Sequence, residues 1–324
     1  MNVALKPLLF TICLSIFLCS CGPKKPGTWH NSEIDASTRD KMHELNTQLF
    51  AGLKINATDK VESVLTNEQI QNRYHFRQIE LISNRMKIDS FALSDEYYMV
   101  NKTRGSHSIN ISDKGVNNHK ISYDAQTPEI YIASWTSVKP GNKVLLTAFY
   151  NKTDYGWKVS DLEMEPYKVN DKTAPELYQD AKEYAKEGYM VNALNTVMMA
   201  KDCANPCTGW SYPEFDGATE FYRAAINAAN QKYKFPLVLD GVSSRPRIFR
   251  IFNKNVDNIT VPAVYYITSV NVEDTAAVRR ENNQIKRSIN SIIPGFSTGY
   301  KYVMYTAFNE RPNAIKEPAN YSMR

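Results

Sequence analysis

The spacing of apolar residues along the chain predicts helices first and strands afterwards. From Asp35 to Lys54 these residues recur at helical spacing and form one stripe, which consists of Met42, Leu45, Leu49 and Leu53. Asp59 can cap a short second helix, and Thr66 or Asn67 can cap a third. The apolar stripe of the third helix consists of Ile70, Tyr74 and Leu81.

After residue 86 the apolar period shortens from about 3.6 residues to about 2, which indicates strands. The predicted strands are residues 87–101, 107–112, 119–124, 129–138, 144–150 and 157–167. Alternation is clearest in the fourth, where one face carries Ile130, Ile132 and Ser134 and the other carries Tyr131, Ala133 and Trp135. Helices followed by an antiparallel meander predict an α+β domain over residues 35–170.

The helical period returns after Thr173 and predicts a helical segment over residues 171–234. The last part of the chain again mixes the two periods and predicts a small α+β domain over residues 235–311. Its helix is expected to begin at Asp274 and to end before Pro294. Two prolines follow Arg311, so residues 312–324 are predicted to form a flexible tail.

Two stretches resemble known folds. The hairpin sequence LLTAFYNKTDYGWKVSDLEMEPY, together with the order of elements before it, resembles the NTF2-like superfamily. This resemblance implies a cone-shaped, curved antiparallel sheet whose interior can hold a small molecule. The stretch APELYQDAKEYAKEGYMVNALNTVMMAKDCANPC resembles a single tetratricopeptide-like helical hairpin, because its small and apolar residues match that repeat: Ala181, Gly188, Ala193, Leu194 and Ala200.

The N-terminus has the features of an export signal. One charge, Lys6, precedes an apolar run from Leu8 to Leu18, which is too short to span a bilayer and typical of a signal peptide. The sequence Leu18-Cys19-Ser20-Cys21 resembles the bacterial lipobox. The resemblance implies cleavage after residue 20 and a lipid on the sulfur of Cys21. An ordinary or uncleaved signal peptide is the alternative.

This resemblance also implies a place in the cell. Acylated Cys21 would make the lipid bilayer the first partner of the protein, in the bacterial cell envelope. The residue after Cys21 is not Asp, which by the same resemblance favours the outer membrane, facing the periplasm or the cell surface. Prolines and glycines follow Cys21, so residues 21–34 are predicted to be a tether.

Composition narrows the classes of partner and cofactor. A formal net charge of +5 over 324 residues is mild and argues neither for nucleic acid nor for strongly acidic partners, and we expect no nucleic-acid partner. With Cys21 acylated, Cys203 and Cys207 are the two thiols left in the mature chain. Their spacing at a helix end predicts a disulfide in an oxidising compartment. All five histidines lie in the first half of the chain, which predicts no metal site, and the sequence predicts no cofactor.

Three carboxylates alternate along one predicted strand, namely Asp161, Glu163 and Glu165. They therefore share one face of the sheet, while Leu162 and Met164 share the other. Such a group could perform acid-base chemistry or bind Ca²⁺. A strand with one solvent-exposed face and one face buried in the core explains the same pattern, and the sequence favours that interpretation.

Aromatic residues and histidines of the N-terminal domain are candidates for a ligand pocket in the cone, namely Tyr97, Trp135, Trp157, His107 and His119. The competing interpretation is that the aromatic residues belong to the core.

The loop after Cys207 carries three aromatic residues, Trp210, Tyr212 and Phe215. They could form a rigid recognition loop, or they could pack onto neighbouring helices. The last long helix carries a basic stretch, Arg279, Arg280, Lys286 and Arg287, with an anionic partner or plain solvation as its two interpretations.

No nucleophile elbow, zinc-protease motif, phosphate loop or dinucleotide fingerprint is present in the sequence. The leading hypothesis is therefore a membrane-anchored, non-enzymatic module that binds a protein partner or a small ligand. A hydrolase-like or isomerase-like enzyme with its site in the N-terminal cone is the second hypothesis. A structural subunit of a surface secretion or uptake complex is the third.

Overall fold

The computed structural model describes residues 25–72, 74–113, 115–312 and 320–323. Over these residues the chain has an α+β fold with mainly antiparallel sheets, which confirms the predicted fold class. The predicted signal peptide and the predicted lipidation site, Cys21, lie outside the described residues.

In the described part of the first half, four α-helices precede most of the strands. Helix α1 (Ala36–Lys54) begins after Asp35, whose carboxylate accepts a hydrogen bond from the backbone N–H of Thr38 at 2.9 Å. The shorter helices are α2 (Thr58–Glu62), α3 (Asn67–Gln71) and α4 (His75–Ile88). The single third helix predicted from sequence is thus wrong, because the chain leaves helical geometry at Asn72 before α4 begins.

Five antiparallel strands form the main sheet, in the order β1-β2-β5-β6-β7. They are β1 (Gly27–His30), β2 (Phe91–Val100), β5 (Glu129–Ser137), β6 (Lys143–Thr153) and β7 (Gly156–Lys168). Strands β3 (Gly105–Ile111) and β4 (His119–Ala125) form a separate hairpin, to which the short strand β8 (Trp210–Ser211) pairs. Strand β1 lies within the predicted tether, so that prediction is wrong for Gly27–His30.

The two faces of the main sheet have different covers. Helices α1 to α4 cover one face, where Met42 and Leu49 of α1 are buried with Tyr131 and Tyr150 of the sheet. The β3–β4 hairpin covers the other face together with α5 (Ala174–Lys186) and α6 (Met190–Asp202). The predicted helical segment therefore shares a core with the N-terminal sheet.

Helices α5 and α6 form the helical hairpin that the sequence predicts. Helix α5 begins with a capping box, in which Glu176 accepts hydrogen bonds from the backbone N–H and the hydroxyl of Thr173, both at 2.8 Å. Ala181 and Ala200 are fully buried, and their small side chains let the helices approach their neighbours closely. Helix α7 (Ala218–Lys232) follows the aromatic loop.

The C-terminal unit is a second five-stranded sheet, in the order β13-β12-β11-β10-β9. Its strands are β9 (Leu237–Val238), β10 (Arg247–Val256), β11 (Ile259–Ile267), β12 (Met304–Phe308) and β13 (Asn320–Met323). Helix α8 (Thr275–Ile292) connects the parallel strands β11 and β12, and it buries Val278, Ile285 and Ile289 against one face of the sheet. Strand β13 falls within the predicted flexible tail, so that prediction is wrong for Asn320–Met323.

None of the helices in the described ranges is both long and apolar enough to cross a membrane.

Candidate functional site

Strand β7 carries three carboxylates on the face of the main sheet that meets the β3–β4 hairpin. Asp161 pairs with Phe149 of β6, Glu163 with Thr147 and Glu165 with Leu145, and Phe149 and Leu145 belong to the core of that face. Leu162 is buried on the opposite face, among the helices α1 to α4. The alternation predicted from sequence is therefore confirmed.

The three carboxylates line a cleft of about 720 Å³. Helix α4 and the residues just before it form one wall, and the end of the loop after α6 closes the cleft. We call this space the acidic cleft; its lining residues are Asn72, Tyr74, Arg77, Gln78, Leu81, Ile82, Asp161, Glu163, Met164, Glu165, Asn205, Cys207 and Thr208.

Burial in the acidic cleft disfavours the ionised forms of Asp161 and Glu165. Burial and the neighbouring carboxylate of Glu163 raise the pKa of Asp161 from 3.8 to about 6. Burial and the same neighbour also raise the pKa of Glu165. Glu163 accepts a hydrogen bond from the backbone N–H of Thr208 at 2.6 Å, and Asp161 accepts one from the backbone N–H of Leu162 at 2.8 Å.

The wall opposite the carboxylates exposes apolar surface. Tyr74 is 75% exposed and Leu81 is 54% exposed, although both belong to the apolar stripe predicted for a single helix. The buried residues of α4 are instead His75, Ile79, Ile82 and Ser83. The predicted stripe joined Tyr74 and Leu81 to Ile70 because the end of the helix at Asn72 leaves no clear signal in the apolar pattern.

A second cavity of about 220 Å³ adjoins the acidic cleft. It shares Asp161, Glu163 and Thr208 with the cleft, so the carboxyl pair is accessible from two sides. Its other lining residues come mainly from β4, β5 and β6, namely Ser122, Tyr123, Asp124, Gln126, Ile130, Phe149, Asn151 and Ser160.

The ligand pocket predicted from aromatic residues does not form. Trp135 and Trp157 are buried on the face covered by α1 to α4, whereas Tyr97 is buried on the opposite face. Trp135 packs against Phe50, with ring centroids 4.8 Å apart. His107 lies on the outer hairpin beside Tyr123, away from both tryptophans. The core interpretation is therefore correct for the two tryptophans.

His119 joins the aromatic loop instead. Its ring stacks on Trp210 with centroids 3.9 Å apart and an interplanar angle of 7°, and Tyr212 approaches both rings edge-on. Burial lowers the pKa of His119, which favours the neutral imidazole. Trp210 and Tyr212 are buried, and Phe215 packs on Tyr178 at 5.6 Å. Of the two interpretations offered by the sequence, the recognition loop is therefore wrong and packing against neighbouring elements is correct.

Cys203 and Cys207 are free thiols in the structure, so the predicted disulfide is not seen. The Cys203 thiol contacts the carbonyl oxygen of Met199 at 3.4 Å, while Cys207 lies beside Glu163 and Thr147. Burial raises the pKa of both thiols, that of Cys203 to about 12.

Within the described residues, no group of three or more His, Cys, Asp or Glu side chains is arranged to hold a metal ion. Ca²⁺ binding by the three carboxylates therefore has no support from the geometry. The basic stretch lies on α8, where Arg279, Arg280 and Arg287 are outside the apolar stripe and Lys286 packs over the ring of Tyr305.

No protein-family model matches the chain, and no curated protein and no solved structure matches it either.

Proposed function

We propose that this protein is a membrane-anchored, non-enzymatic module that binds a basic segment of a protein partner in the acidic cleft. The observation that carries the proposal is the pairing of two walls in one cleft of about 720 Å³. One wall presents three carboxylates, and the other presents exposed Tyr74 and Leu81.

The acidic cleft has three carboxylates and one cationic side chain, Arg77, among its lining residues, so its charge favours a cationic ligand. Asp161, Glu163 and Glu165 stand on alternate residues of one strand, so their negative charges lie close together. Burial and, after it, the charge of Glu163 raise the pKa of both Asp161 and Glu165, so the ionised forms of these carboxyl groups are disfavoured in the empty cleft. A Lys or Arg side chain would relieve the repulsion, because it places a positive charge among the carboxylates.

The size and the apolar wall favour a peptide over a simple cation. Ligand pockets in proteins typically have volumes of about 300–1,000 Å³. The acidic cleft, at about 720 Å³, is therefore large enough for a few side chains of a peptide. Tyr74 and Leu81 offer apolar contact area on the wall formed by α4. Aromatic side chains are enriched at protein interfaces, where they bury much surface at little conformational cost.

The binding can be measured by fluorescence anisotropy with a short labelled peptide that alternates Lys and Leu. We expect Asp161→Asn with Glu165→Gln to weaken binding by roughly tenfold, since each exposed ion pair contributes about 0.2–1 kcal/mol. The exposed Glu187 of the α5–α6 turn provides the control, and Glu187→Gln should leave the affinity unchanged. Equal affinity in the double variant and the wild type would refute the proposal.

An acid-base enzyme is the second candidate, and the pKa of about 6 at Asp161 favours it. A carboxyl group whose pKa lies close to neutral pH is typical of acid-base catalysis. Hydrolysis of the bound peptide, followed by mass spectrometry, separates the two candidates. Cleavage that stops in the Asp161→Asn variant would establish the enzyme, and an intact peptide supports the binding module.

The anchor is proposed on the lipobox resemblance at residues 18–21. Growth with radiolabelled palmitate should label the wild-type protein, and Cys21→Ala should abolish the label and release the protein from membranes. Cys19→Ala is the matched control and should keep the label. Labelling that survives Cys21→Ala would refute the lipid anchor.

A further inference from the structure

Four aromatic rings lie on the face of the C-terminal sheet that α8 does not cover. Side chains alternate between the two faces of a strand. Val264 and Tyr266 of β11 are buried with α8, so Tyr265 between them points to the opposite face. A bulge at Phe249 interrupts the alternation of β10, so Arg250 pairs with Tyr265 and Phe252 with Ala263 on that opposite face. The rings on that face belong to Phe249, Phe252, Tyr265 and Phe308.

These rings contact one another in one cluster. Tyr265 lies at its centre, with ring centroids 4.8 Å from Phe252, 5.1 Å from Phe308 and 6.1 Å from Phe249. Phe249, Phe252 and Tyr265 are only partly buried, so the cluster reaches the surface.

Arginines surround this cluster. The Arg250 guanidinium lies 4.5 Å from the centroid of Phe252, and the Arg311 guanidinium lies 5.7 Å from that of Phe249. Both arginines are exposed, and among the described residues neither forms a salt bridge. Strand β10 also carries Arg247 and Lys254 and has no acidic residue. We call the four rings with Arg250 and Arg311 the aromatic–arginine face.

We propose that the aromatic–arginine face binds an acidic, apolar segment of a protein partner. A guanidinium stacked on a ring presents its N–H donors in a fixed plane, which suits bidentate binding of a carboxylate. The rings beside it accept an apolar side chain of the same segment. Aromatic residues and arginine are also the residue types that dominate the energy of protein interfaces.

The position of this face in the molecule favours a protein over the anchoring membrane. Strand β1 starts at Gly27 opposite Val100, at the end of β2. The C-terminal unit contacts the turn before β6, where the backbone N–H of Asn142 donates to the carbonyl oxygen of Asn258 at 2.7 Å. That turn lies beside the start of β2, because the backbone N–H of Val138 donates to the carbonyl oxygen of Ser90, the residue before β2.

Strand β2 has ten residues, so these two ends are about 33 Å apart. A chain anchored before Gly27 therefore carries the C-terminal unit at its far end. The proposal is independent of the acidic cleft, which selects the opposite charge.

The test uses the full chain and fluorescence anisotropy with a short labelled peptide that alternates Glu and Phe. The wild type should bind it, and Arg250→Ser with Arg311→Ser should weaken binding by about tenfold or more. Arg223→Ser, at an exposed arginine of α7, is the control and should bind like the wild type. The Lys-Leu peptide should bind the Arg250→Ser, Arg311→Ser variant unchanged, which separates this proposal from the acidic cleft.

Absence of binding by the wild type would overturn the proposal, and so would equal losses in the control and the double variant. Two competing anionic ligands are tested with the same proteins, namely vesicles of phosphatidylglycerol and single-stranded oligodeoxythymidine. Tighter binding of either one than of the peptide, lost in the double variant, would also overturn it.

Discussion

Asp161 and Glu163 lie two residues apart on one face of β7, where burial and, after it, the neighbouring carboxylate of Glu163 raise the pKa of Asp161 to about 6. Their strand places them together because side chains at i and i+2 point the same way. The two carboxyl groups therefore destabilise the folded state, and a cationic ligand would reduce that destabilisation.

Replacing this carboxylate should stabilise the protein near neutral pH. An Asp whose pKa rises from 3.8 to about 6 on folding does not lower the free energy of unfolding below pH 3.8, because it is protonated in both the folded and the unfolded state. The destabilisation grows as the pH rises and reaches its full size above pH 6. Asp161→Asn should therefore raise the free energy of unfolding by about 1–2 kcal/mol at pH 7.5, after allowing for partial solvent exposure. Urea denaturation at pH 7.5 and at pH 3.5 measures the difference.

The control for this prediction is Asp154→Asn, in the exposed hairpin turn between β6 and β7. It should change stability by less than about 0.5 kcal/mol at either pH. A gain for Asp161→Asn that persists unchanged at pH 3.5 would contradict the electrostatic explanation.

Trp210 should contribute strongly to stability, because its ring is enclosed between His119, Tyr212 and Tyr167. Removing a buried tryptophan leaves a cavity and costs about 3–5 kcal/mol. Trp210→Ala should therefore lower the urea midpoint severely, and Trp210→Phe should lower it less. Tyr155 is 94% exposed, and Tyr155→Ala should leave the midpoint nearly unchanged. A recognition loop would give the opposite result, with stability kept in Trp210→Ala.

The helices and strands were largely predictable, because the spacing of apolar residues follows from the burial of one face of each element. Residues 129–138 show this well, since the alternation of Ile132 and Trp135 matches the two buried faces of β5. The helix cap at Asp274 is likewise confirmed by a hydrogen bond from the backbone N–H of Ala277 at 2.9 Å. These features depend on local sequence alone.

The faces of neighbouring strands were not predictable, because bulges change the alternation. A bulge at Ser160 places Trp157 on the same face as Leu162, although an unbroken strand would place it with Asp161. A second bulge at Ser94 shifts β2 relative to β5. The predicted pocket joined Tyr97 to Trp157, which the structure places on opposite faces of the sheet.

Part of the acidic cleft was predictable and part was not. Asp161, Glu163 and Glu165 stand out in the sequence, and their shared face is correct. Their partners Tyr74 and Thr208 come from distant segments, and only the tertiary fold brings them to the same cleft.

The two buried thiols should resist alkylation in the folded protein. A pKa of about 12 at Cys203 leaves a thousandfold less thiolate, to order of magnitude, than the ordinary value of 9.0. We expect iodoacetamide at pH 8 to label neither cysteine in native buffer and to label both in urea. Mass spectrometry of a lipid-free chain beginning at residue 25 counts the labels. Two labels in urea without reductant would confirm free thiols, whereas none would show the disulfide that the spacing predicts.

Gly209 holds the loop after α6 against β4, and this contact should not tolerate a side chain. Its φ is +78°, and a Cβ atom would overlap the carbonyl oxygen of Ser122. The backbone N–H of Ser122 donates to the carbonyl oxygen of Gly209 at 2.9 Å, so the two strands cannot separate without losing that hydrogen bond. Gly209→Ala should therefore lower the free energy of unfolding by about 2–4 kcal/mol, measured by urea denaturation.

The control variant Gly105→Ala separates the effect of the steric overlap with Ser122 from the effect of backbone strain. The φ of Gly105 is also positive, at +108°, but a Cβ atom there would meet nothing within 4 Å. Gly105→Ala should cost about 1 kcal/mol from strain alone. Because Gly209 also precedes Trp210, its substitution should expose that ring and shift tryptophan fluorescence to longer wavelength, whereas Gly105→Ala should not. Equal losses of stability and unchanged fluorescence in both variants would contradict the close contact between Gly209 and Ser122.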